Sequence, residues 1–421
     1  MTTLGEIIMH RPSLNDAASL RIQLIVFALV SASFTNIYLT QPVLPVLQQE
    51  FGADLVLVSL SVSAVILGIA LANLPFGYLA DKLPIQPILL GGGICVALGG
   101  LVCAVTHDLW VLIGARFVQG LFIPALTTCL AAYLARTLPV ERLSVVMGSY
   151  VSATVLGGLG GRLLGGWIHP PLHWRYAFVS AAAFILLATI AAFRGLPRVA
   201  VVCGGQQPLP SFSSLLRWEL LRLYLCAAGG FAIFSSIFNF LPFRLHDAPF
   251  HFSTELTTMV YLVYIVGIFM GPIAGRLSNR LGSGRTLLLG ATILGSSLLL
   301  VLLQSIALVV LGLFGICSGF FTIHAAAVGA LNRKLSHGQG RANALYVLFY
   351  YTGGWLGITG AGFAYRNGGW TTVVLGAMLL LLLPLGTGIG ERRGNGRQDA
   401  ATTRGTMNGN GDATGEHRQH H

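Results

Sequence analysis

Twelve apolar stretches, each long enough to cross a lipid bilayer, alternate along the 421-residue chain with short polar segments. A membrane-spanning helix needs about 20 apolar residues. Only 9% of the residues are charged, whereas a water-soluble domain carries about 25%. The sequence therefore predicts an all-α integral membrane protein with twelve transmembrane helices. Its helices would be in contact with the lipid bilayer, which is thus one of its partners. We place the spans at residues 21–47, 54–79, 86–106, 109–135, 142–168, 174–194, 218–245, 255–279, 285–303, 306–332, 342–366 and 369–390.

Polar segments divide these spans into two bundles of six. We predict a cytoplasmic N-terminal segment over residues 1–20, a first bundle over 21–198 and a second over 217–390. Residues 199–216 are rich in Gly, Gln, Pro and Ser, which is typical of a linker, and we place this linker in the cytoplasm. Residues 391–421 contain almost no hydrophobic side chain, so we expect a disordered cytoplasmic tail there.

Basic residues are distributed unevenly between alternate loops. With the N-terminus inside, only Arg175, Arg244 and Arg366 of the 25 Lys and Arg residues fall in outer loops. The positive-inside rule then places both termini in the cytoplasm. Because the basic residues lie in short loops between spans, the net charge of +11 does not indicate a nucleic-acid partner. The six cysteines show no paired spacing, so we predict no metal ion and no other cofactor.

Three motifs recur in the same order in the two halves. The segment GYLADKLP, from Gly77, pairs with GRLSNRLG, from Gly275. At one constant offset Arg162 meets Ile358, so the charge is present in one half alone. Parallel six-helix repeats about an axis along the membrane normal are typical of one large class of transporters. The same offset aligns Tyr150 with Tyr346, Gly157 with Gly353, Gly161 with Gly357 and Trp174 with Trp370, and Gly120 falls opposite Gly319.

These motifs resemble the major facilitator superfamily, specifically its twelve-helix exporters of drugs and metabolites, over residues 20–390. RFVQG, residues 116–120, matches the fourth-helix signature, and TQPVLPVL, residues 40–47, resembles the first-helix motif of the exporters. The glycine-rich fifth helix resembles the antiporter motif. The loop after the second span keeps the signature residues Gly77, Asp81 and Lys82, and its second copy keeps Gly275 and Arg280 but has Asn279 where an acid is common.

The resemblance implies a transport cycle and a set of residues that act in it. In the family the signature loop locks one conformational state, which implies a gating role for Gly77, Asp81, Lys82, Gly275 and Arg280. Gly157 and Gly161 would have a gating role if helices slide past each other during the transport cycle. Close helix packing in lipid is the plainer explanation of these glycines. The fourth-helix arginine, Arg116, is linked in the family to proton coupling.

Two arginines lie inside predicted spans at one depth. At a rise of 1.5 Å per residue, Arg116 lies roughly 10 Å and Arg162 roughly 9 Å below the outer membrane edge. A charge at the bilayer centre costs from ~2.5 to over ~10 kcal/mol. Gln41 and Tyr38 fall in the same outer half, so we predict one polar substrate-binding pocket for these four residues. The alternative is that each arginine binds backbone carbonyls or extends its charge to the membrane surface.

Acidic residues are absent from the interiors of the predicted spans, since all 14 Asp and Glu can be placed in loops, tails or helix ends. If protons drive transport, the carrier is then a carboxylate at the mouth of the bundle, or Asp81, or His324. An imidazole titrates near neutral pH, which makes His324 a candidate. A structural hydrogen bond is the alternative role of His324. Asn239, Tyr346 and Tyr350 complete the candidate substrate site, with core packing as the alternative; the later helices also supply Phe238, Phe240, Tyr261, Tyr264 and Tyr351.

The sequence predicts a secondary transporter that works by alternating access in the bacterial cytoplasmic (inner) membrane, as a monomer. Its partners are protons and a small molecule, and the lack of a buried acid favours neutral, zwitterionic or anionic substrates over cations. The resemblance favours proton-coupled export, with uptake or uniport of an organic anion as the alternative. The spans contain no paired carboxylates and no metal-binding motif, so we predict no enzymatic activity. A receptor or scaffold function for a protein of this fold stays open as an alternative.

Overall fold

The computed structural model describes residues 16–197, 212–335 and 338–393, and all regular elements in this part of the chain are helices. Most of the predicted linker and nearly all of the predicted tail lie outside the described residues. The all-helical architecture predicted from the apolar stretches is confirmed.

The helices follow one another with short connections. Two 3₁₀ turns, Gln41–Val43 and Tyr261–Ile265, join α1 to α2 and α11 to α12. In chain order the α-helices are α1 (Asp16–Tyr38), α2 (Leu44–Phe51), α3 (Leu55–Lys82), α4 (Ile85–Val105), α5 (Leu109–Leu126), α6 (Thr128–Thr137), α7 (Val140–Ile168), α8 (Arg175–Gly195), α9 (Phe212–Leu215), α10 (Trp218–His246), α11 (Thr254–Val260), α12 (Val266–Leu281), α13 (Ser283–Leu300), α14 (Ile306–Arg333) and α15 (Gln339–Leu380).

Ten helical stretches of the described residues are long and apolar enough to cross a membrane. The last of them runs from Gln339 to Arg393 and has non-helical backbone at Gly368 and Gly369, where the sequence places the boundary between the last two spans. Gly369 has a φ of +66°, which glycine adopts without steric cost. α7 covers the predicted fifth span but is not among the ten. The count of twelve spans therefore stays a prediction.

The second bundle extends beyond the boundary that the sequence indicates. Glu391, predicted to begin the tail, lies instead in a helical turn and is buried. Its carboxylate accepts from Arg222 Nη2 at 2.6 Å and lies 3.3 Å from Lys334 Nζ. The apolar pattern ends at residue 390, but two cations from other helices make burial of this polar residue favourable.

Glycines bring helices of each half into close contact at equivalent positions. On α7, a Cβ atom at Gly161 would lie 2.3 Å from the carbonyl oxygen of Thr35 on α1. On α15, a Cβ atom at Gly357 would lie 2.6 Å from Cα of Ala232 on α10. Because no side chain larger than hydrogen fits, these glycines set the helix separation. Both halves thus use the aligned glycines in the same way.

The two halves meet along α3 and α15 and around the end of the bundle where α1 finishes, which we call the distal end; the opposite end is the proximal end. At the distal end Gly166 of α7 lies against Thr258 of α11, and Asp54 forms an ion pair with Arg366 at 3.4 Å. The first half closes on the second here by direct packing.

Candidate functional site

Arg162 lies buried between the two halves, with 1% of its surface exposed. Its Nε donates to Gln41 Oε1 at 2.7 Å, and its Nη1 donates to the carbonyl oxygen of Gly158 at 2.7 Å. Its Nη2 reaches the second half and donates to Tyr264 Oη at 2.8 Å. Within the described residues no Asp or Glu forms an ion pair with Arg162. Neutral dipoles alone therefore surround a full buried charge.

Three tyrosine rings enclose the same guanidinium. The Arg162 Cζ atom lies 3.9 Å from the ring centre of Tyr38, 4.0 Å from that of Tyr264 and 5.5 Å from that of Tyr261. A cation over an aromatic face gains about 0.5–2 kcal/mol. The sequence placed Tyr261 and Tyr264 only among the aromatics of later helices, because neither lies near Arg162 in the chain.

A polar chain extends from Arg162 to Asn239 on α10. Gln41 Nε2 donates to Asn239 Oδ1 at 3.5 Å, and both side chains are buried. The Nδ2 group of Asn239 has no hydrogen-bond partner, which is unusual for a buried donor. The structure thus brings together four of the predicted site residues, namely Arg162, Gln41, Tyr38 and Asn239.

Arg116 is equally buried but contacts only the first half. Its Nε donates to the carbonyl oxygen of Ser61 at 2.9 Å, and its Nη2 donates to that of Ile37 at 2.6 Å. Its Nη1 donates to the Asn36 carbonyl oxygen at 2.6 Å and to Gln119 Oε1 at 2.7 Å. These bonds tie α5 to α1 and α3. The pocket predicted for both arginines is therefore divided: Arg162 lies between the halves, and Arg116 cross-links helices.

His324 forms a second cluster with the predicted residues of α15. Tyr346 Oη lies 3.1 Å from His324 Nδ1, and the Tyr350 ring lies 5.2 Å from the imidazole. Tyr350 also stacks on Phe231 with 3.9 Å between ring centres. Sequence reasoning missed Phe231, since a single phenylalanine in an apolar helix carries no signal.

Aromatic rings connect the two clusters. Tyr264 contacts Phe234 at 5.3 Å between centres, Phe234 stacks on Phe320 at 4.1 Å, and Phe320 lies 6.1 Å from His324. A continuous aromatic surface therefore runs through the second half from the guanidinium to the imidazole.

The gating residues predicted in the signature loop and its second copy lie at the proximal end, away from Arg162, whereas Gly157 and Gly161 lie beside Arg162 on α7. Asp81 forms a largely exposed ion pair with Arg136 at 3.7 Å, and Lys82 lies over the Tyr78 ring. Gly77 and Gly275 have room for a side chain. Arg280 is exposed.

The sequence profile of the Major Facilitator Superfamily matches residues 26–357. The chain belongs to this superfamily. Among its relatives, the inner membrane transport protein YnfM of Escherichia coli K12 is 29% identical over 382 residues, which cover 89% of this chain and 90% of YnfM. A chloramphenicol resistance protein of Pseudomonas aeruginosa is 27% identical over 393 residues, which cover 89% of this chain and 91% of that protein.

Solved structures of the superfamily share this fold. The crystal structure of the human organic anion transporter MFSD10 superposes with a TM-score of 0.67 at 18% sequence identity, covering 88% of this chain and 99% of that one. Because the matching family and the relatives are membrane transporters, the chain is a superfamily transporter of small molecules across a lipid bilayer and not an enzyme.

Proposed function

We propose that this transporter is a proton-coupled exporter of small polar, zwitterionic or anionic compounds and that Arg162 binds the anionic or most polar group of the substrate. One observation carries the proposal: a buried guanidinium between the two halves has only neutral partners. The likeness to a chloramphenicol resistance protein supports export. The distribution of basic residues supports a cytoplasmic membrane location with both termini inside.

Substrate charge complements the site. A carboxylate or phosphate accepts stronger, shorter hydrogen bonds from a guanidinium than a neutral phenol or amide does. The free Nδ2 donor of Asn239, linked to Arg162 through Gln41, offers a further hydrogen bond to the same ligand. A cationic substrate would meet an uncompensated positive charge in a medium of low dielectric constant, which repels it.

Substrate binding is coupled in this scheme to movement of the halves. Tyr264 in the second half occupies Arg162 Nη2 when the distal end is packed. An anion that takes this donor releases Tyr264 and so weakens a contact between the halves. Ligand and tyrosine compete for one group, which links occupancy to alternating access.

A thermal-shift series on purified protein tests the role of Arg162. The probes are benzoate, benzamide and benzylamine, which share a ring and differ in charge. We expect stabilisation in the order benzoate, benzamide, benzylamine, and we expect Arg162→Gln to weaken benzoate binding by about tenfold or more, because a charge-assisted hydrogen bond is lost. The matched control is Arg366→Gln, which replaces an exposed arginine at the same end of the bundle. Equal responses to all three probes in wild type and Arg162→Gln would contradict the proposal.

Proton coupling is assigned to His324, which Tyr346 contacts through Nδ1. In proteoliposomes loaded with the probe that stabilises the protein most in the thermal-shift series, we expect a pH gradient to drive export by the wild type. His324→Gln should abolish this dependence while substrate exchange at equal pH continues. Asp81→Asn tests the other candidate carrier in parallel.

The same assay separates the alternatives. Gradient-driven transport that persists in His324→Gln but fails in Asp81→Asn would assign the proton-carrying role to Asp81 in the proximal loop. Export that persists after the gradient is collapsed would exclude antiport. Accumulation in the opposite direction would favour uptake of an organic anion.

A further inference from the structure

Equivalent arginines of the two halves have different partners at the proximal end. In the first half Arg136 lies 3.7 Å from Asp81 and donates to the carbonyl oxygen of Ala80. In the second half Arg333 takes the place of Arg136, and its Nη2 donates to Ser278 Oγ at 3.1 Å. The repeat that pairs Gly77 with Gly275 also pairs Ala80 with Ser278. The two arginines therefore approach the same point of the repeat.

The carboxylate of this arrangement is present only in the first half. Asn279 stands where the first half has Asp81. Arg333 instead binds the hydroxyl groups of Ser278 and Ser283, and it forms no ion pair with any described Asp or Glu. Its positive charge is left without the counter-charge that Arg136 has.

Arg333 lines a polar cavity of about 530 Å³, together with Arg217, Lys334, Glu219 and Glu391. Glu391 is already neutralised, because Arg222 and Lys334 both contact it. Arg217 and Arg333 then face a single unpaired carboxylate, that of Glu219. The cavity carries net positive charge and is large enough for a phosphate group.

The cavity lies at the level of the membrane surface. Arg217 precedes Trp218, which begins α10 and is 67% exposed. Exposed tryptophans of membrane proteins concentrate at the interface where lipid headgroups lie. Basic pockets between transmembrane helices at this level bind anionic headgroups.

We propose that this cavity binds a phosphate-bearing anion, which supplies to Arg333 the negative charge that Asp81 supplies to Arg136. Phosphate oxygens accept bidentate hydrogen bonds from a guanidinium. The hydroxyl groups of Ser278 and Ser283, which already contact Arg333, provide further donors. The phosphate comes from an anionic phospholipid headgroup or from a soluble phosphate, and the site is independent of the transport site at Arg162.

The test measures thermal unfolding of the full-length protein with two probes. Inorganic phosphate is added to delipidated protein in detergent, against sodium chloride at equal ionic strength. In parallel, the protein is placed in nanodiscs of phosphatidylcholine with and without phosphatidylglycerol. We expect at least one probe to stabilise the wild type, and Arg333→Gln to weaken its binding by about tenfold.

Two variants make the test specific to the missing acid. Asn279→Asp introduces a carboxylate at the position that Asp81 occupies in the first half and should weaken anion binding at Arg333, without removing any cation. Arg136→Gln, at the equivalent position of the first half, should leave anion binding unchanged.

The outcomes distinguish the two sources of the phosphate group from failure of the proposal. Stabilisation by phosphatidylglycerol alone identifies the lipid headgroup, and stabilisation by free phosphate identifies a soluble anion. No stabilisation by either probe, or stabilisation that Asn279→Asp leaves unchanged, would overturn the proposal.

Discussion

Two buried arginines at one predicted depth show how a single residue type serves two purposes. Arg116 directs its donors to Gln119 and to carbonyl oxygens of Ser61, Asn36 and Ile37, all within one half. Arg162 has a partner in each half and three aromatic rings around it. The first arrangement resists movement of its helices relative to each other, whereas the second changes whenever the halves separate.

Replacement of Arg116 should therefore affect stability. Arg116→Ala removes the guanidinium that donates to three buried carbonyl oxygens and to Gln119 Oε1, and we expect it to destabilise the protein by about 3 kcal/mol or more. The measurement is unfolding of the purified protein in detergent. Arg366→Gln removes an exposed ion pair and should cost only about 0–1 kcal/mol. A small effect of Arg116→Ala, comparable to that of Arg366→Gln, would contradict a cross-linking role.

At the scale of the helix, a register of small residues sets how α7 lies on α1. Gly157, Gly161 and Gly165 recur every four residues, and a Cβ atom on any of them would lie within 2.4 Å of a carbonyl oxygen of α1 or of Leu39, the residue that follows it. Gly160, one position away, has room for a methyl group, since a Cβ atom would make only an ordinary van der Waals contact with Thr35 Oγ1 at 3.6 Å. The face that carries Gly157, Gly161 and Gly165 is therefore committed to packing on α1, whereas Gly160 is not.

A pair of alanine substitutions distinguishes these faces. Gly161→Ala should destabilise the protein by about 1–3 kcal/mol, because the added methyl group forces α7 away from α1. Gly160→Ala should be neutral or stabilising by up to about 1 kcal/mol, because alanine is the better helix former. Gly357→Ala and Gly360→Ala repeat the comparison in the second half, where only Gly357 is closely packed. Equal unfolding temperatures for each pair would refute this packing argument.

At the scale of the whole molecule, one of the contacts between the halves near the distal end depends on a single guanidinium, that of Arg162. Tyr264 holds it from the second half through its hydroxyl group, while Tyr261 donates its own hydroxyl to the Phe238 carbonyl oxygen within the second half, at 3.0 Å. Both tyrosines contact the same guanidinium with their rings, but the hydroxyl group of Tyr264 bonds to the first half and that of Tyr261 to the second.

Tyr264→Phe should therefore increase the population with an open distal end. Loss of a hydrogen bond to a charged group is worth about 1.5–3 kcal/mol, which shifts a two-state population by about tenfold or more. Electron-spin distance measurements between labels at Leu172 and Leu256, both exposed, report this opening. Tyr261→Phe is the matched control and should leave the distances as in the wild type. Identical distance distributions for the two variants would contradict the assignment.

Local sequence was sufficient to predict the helices, the glycine positions shared by the two halves and the burial of Arg162. Hydrophobic length predicts a span because an unpaired backbone cannot lie in lipid, and the repeat assigns equivalent glycines to both halves without reference to coordinates. The same information placed Glu391 in the tail, since a polar residue after an apolar run predicts a helix end unless its partners are known.

The sequence by itself determined the all-helical membrane architecture and the asymmetry between Arg162 and its counterpart Ile358, because both depend on residue type and spacing. Only the tertiary structure decided that Arg116 lies within one half and Arg162 between the two, and that His324 meets Tyr346. It also decided that Arg333 lies against Ser278 as Arg136 lies against Ala80, so that the acid missing at Asn279 leaves Arg333 without a counter-charge. These distinctions depend on which helix faces meet, and residues 100 or more apart in the chain supply the groups that satisfy a buried charge.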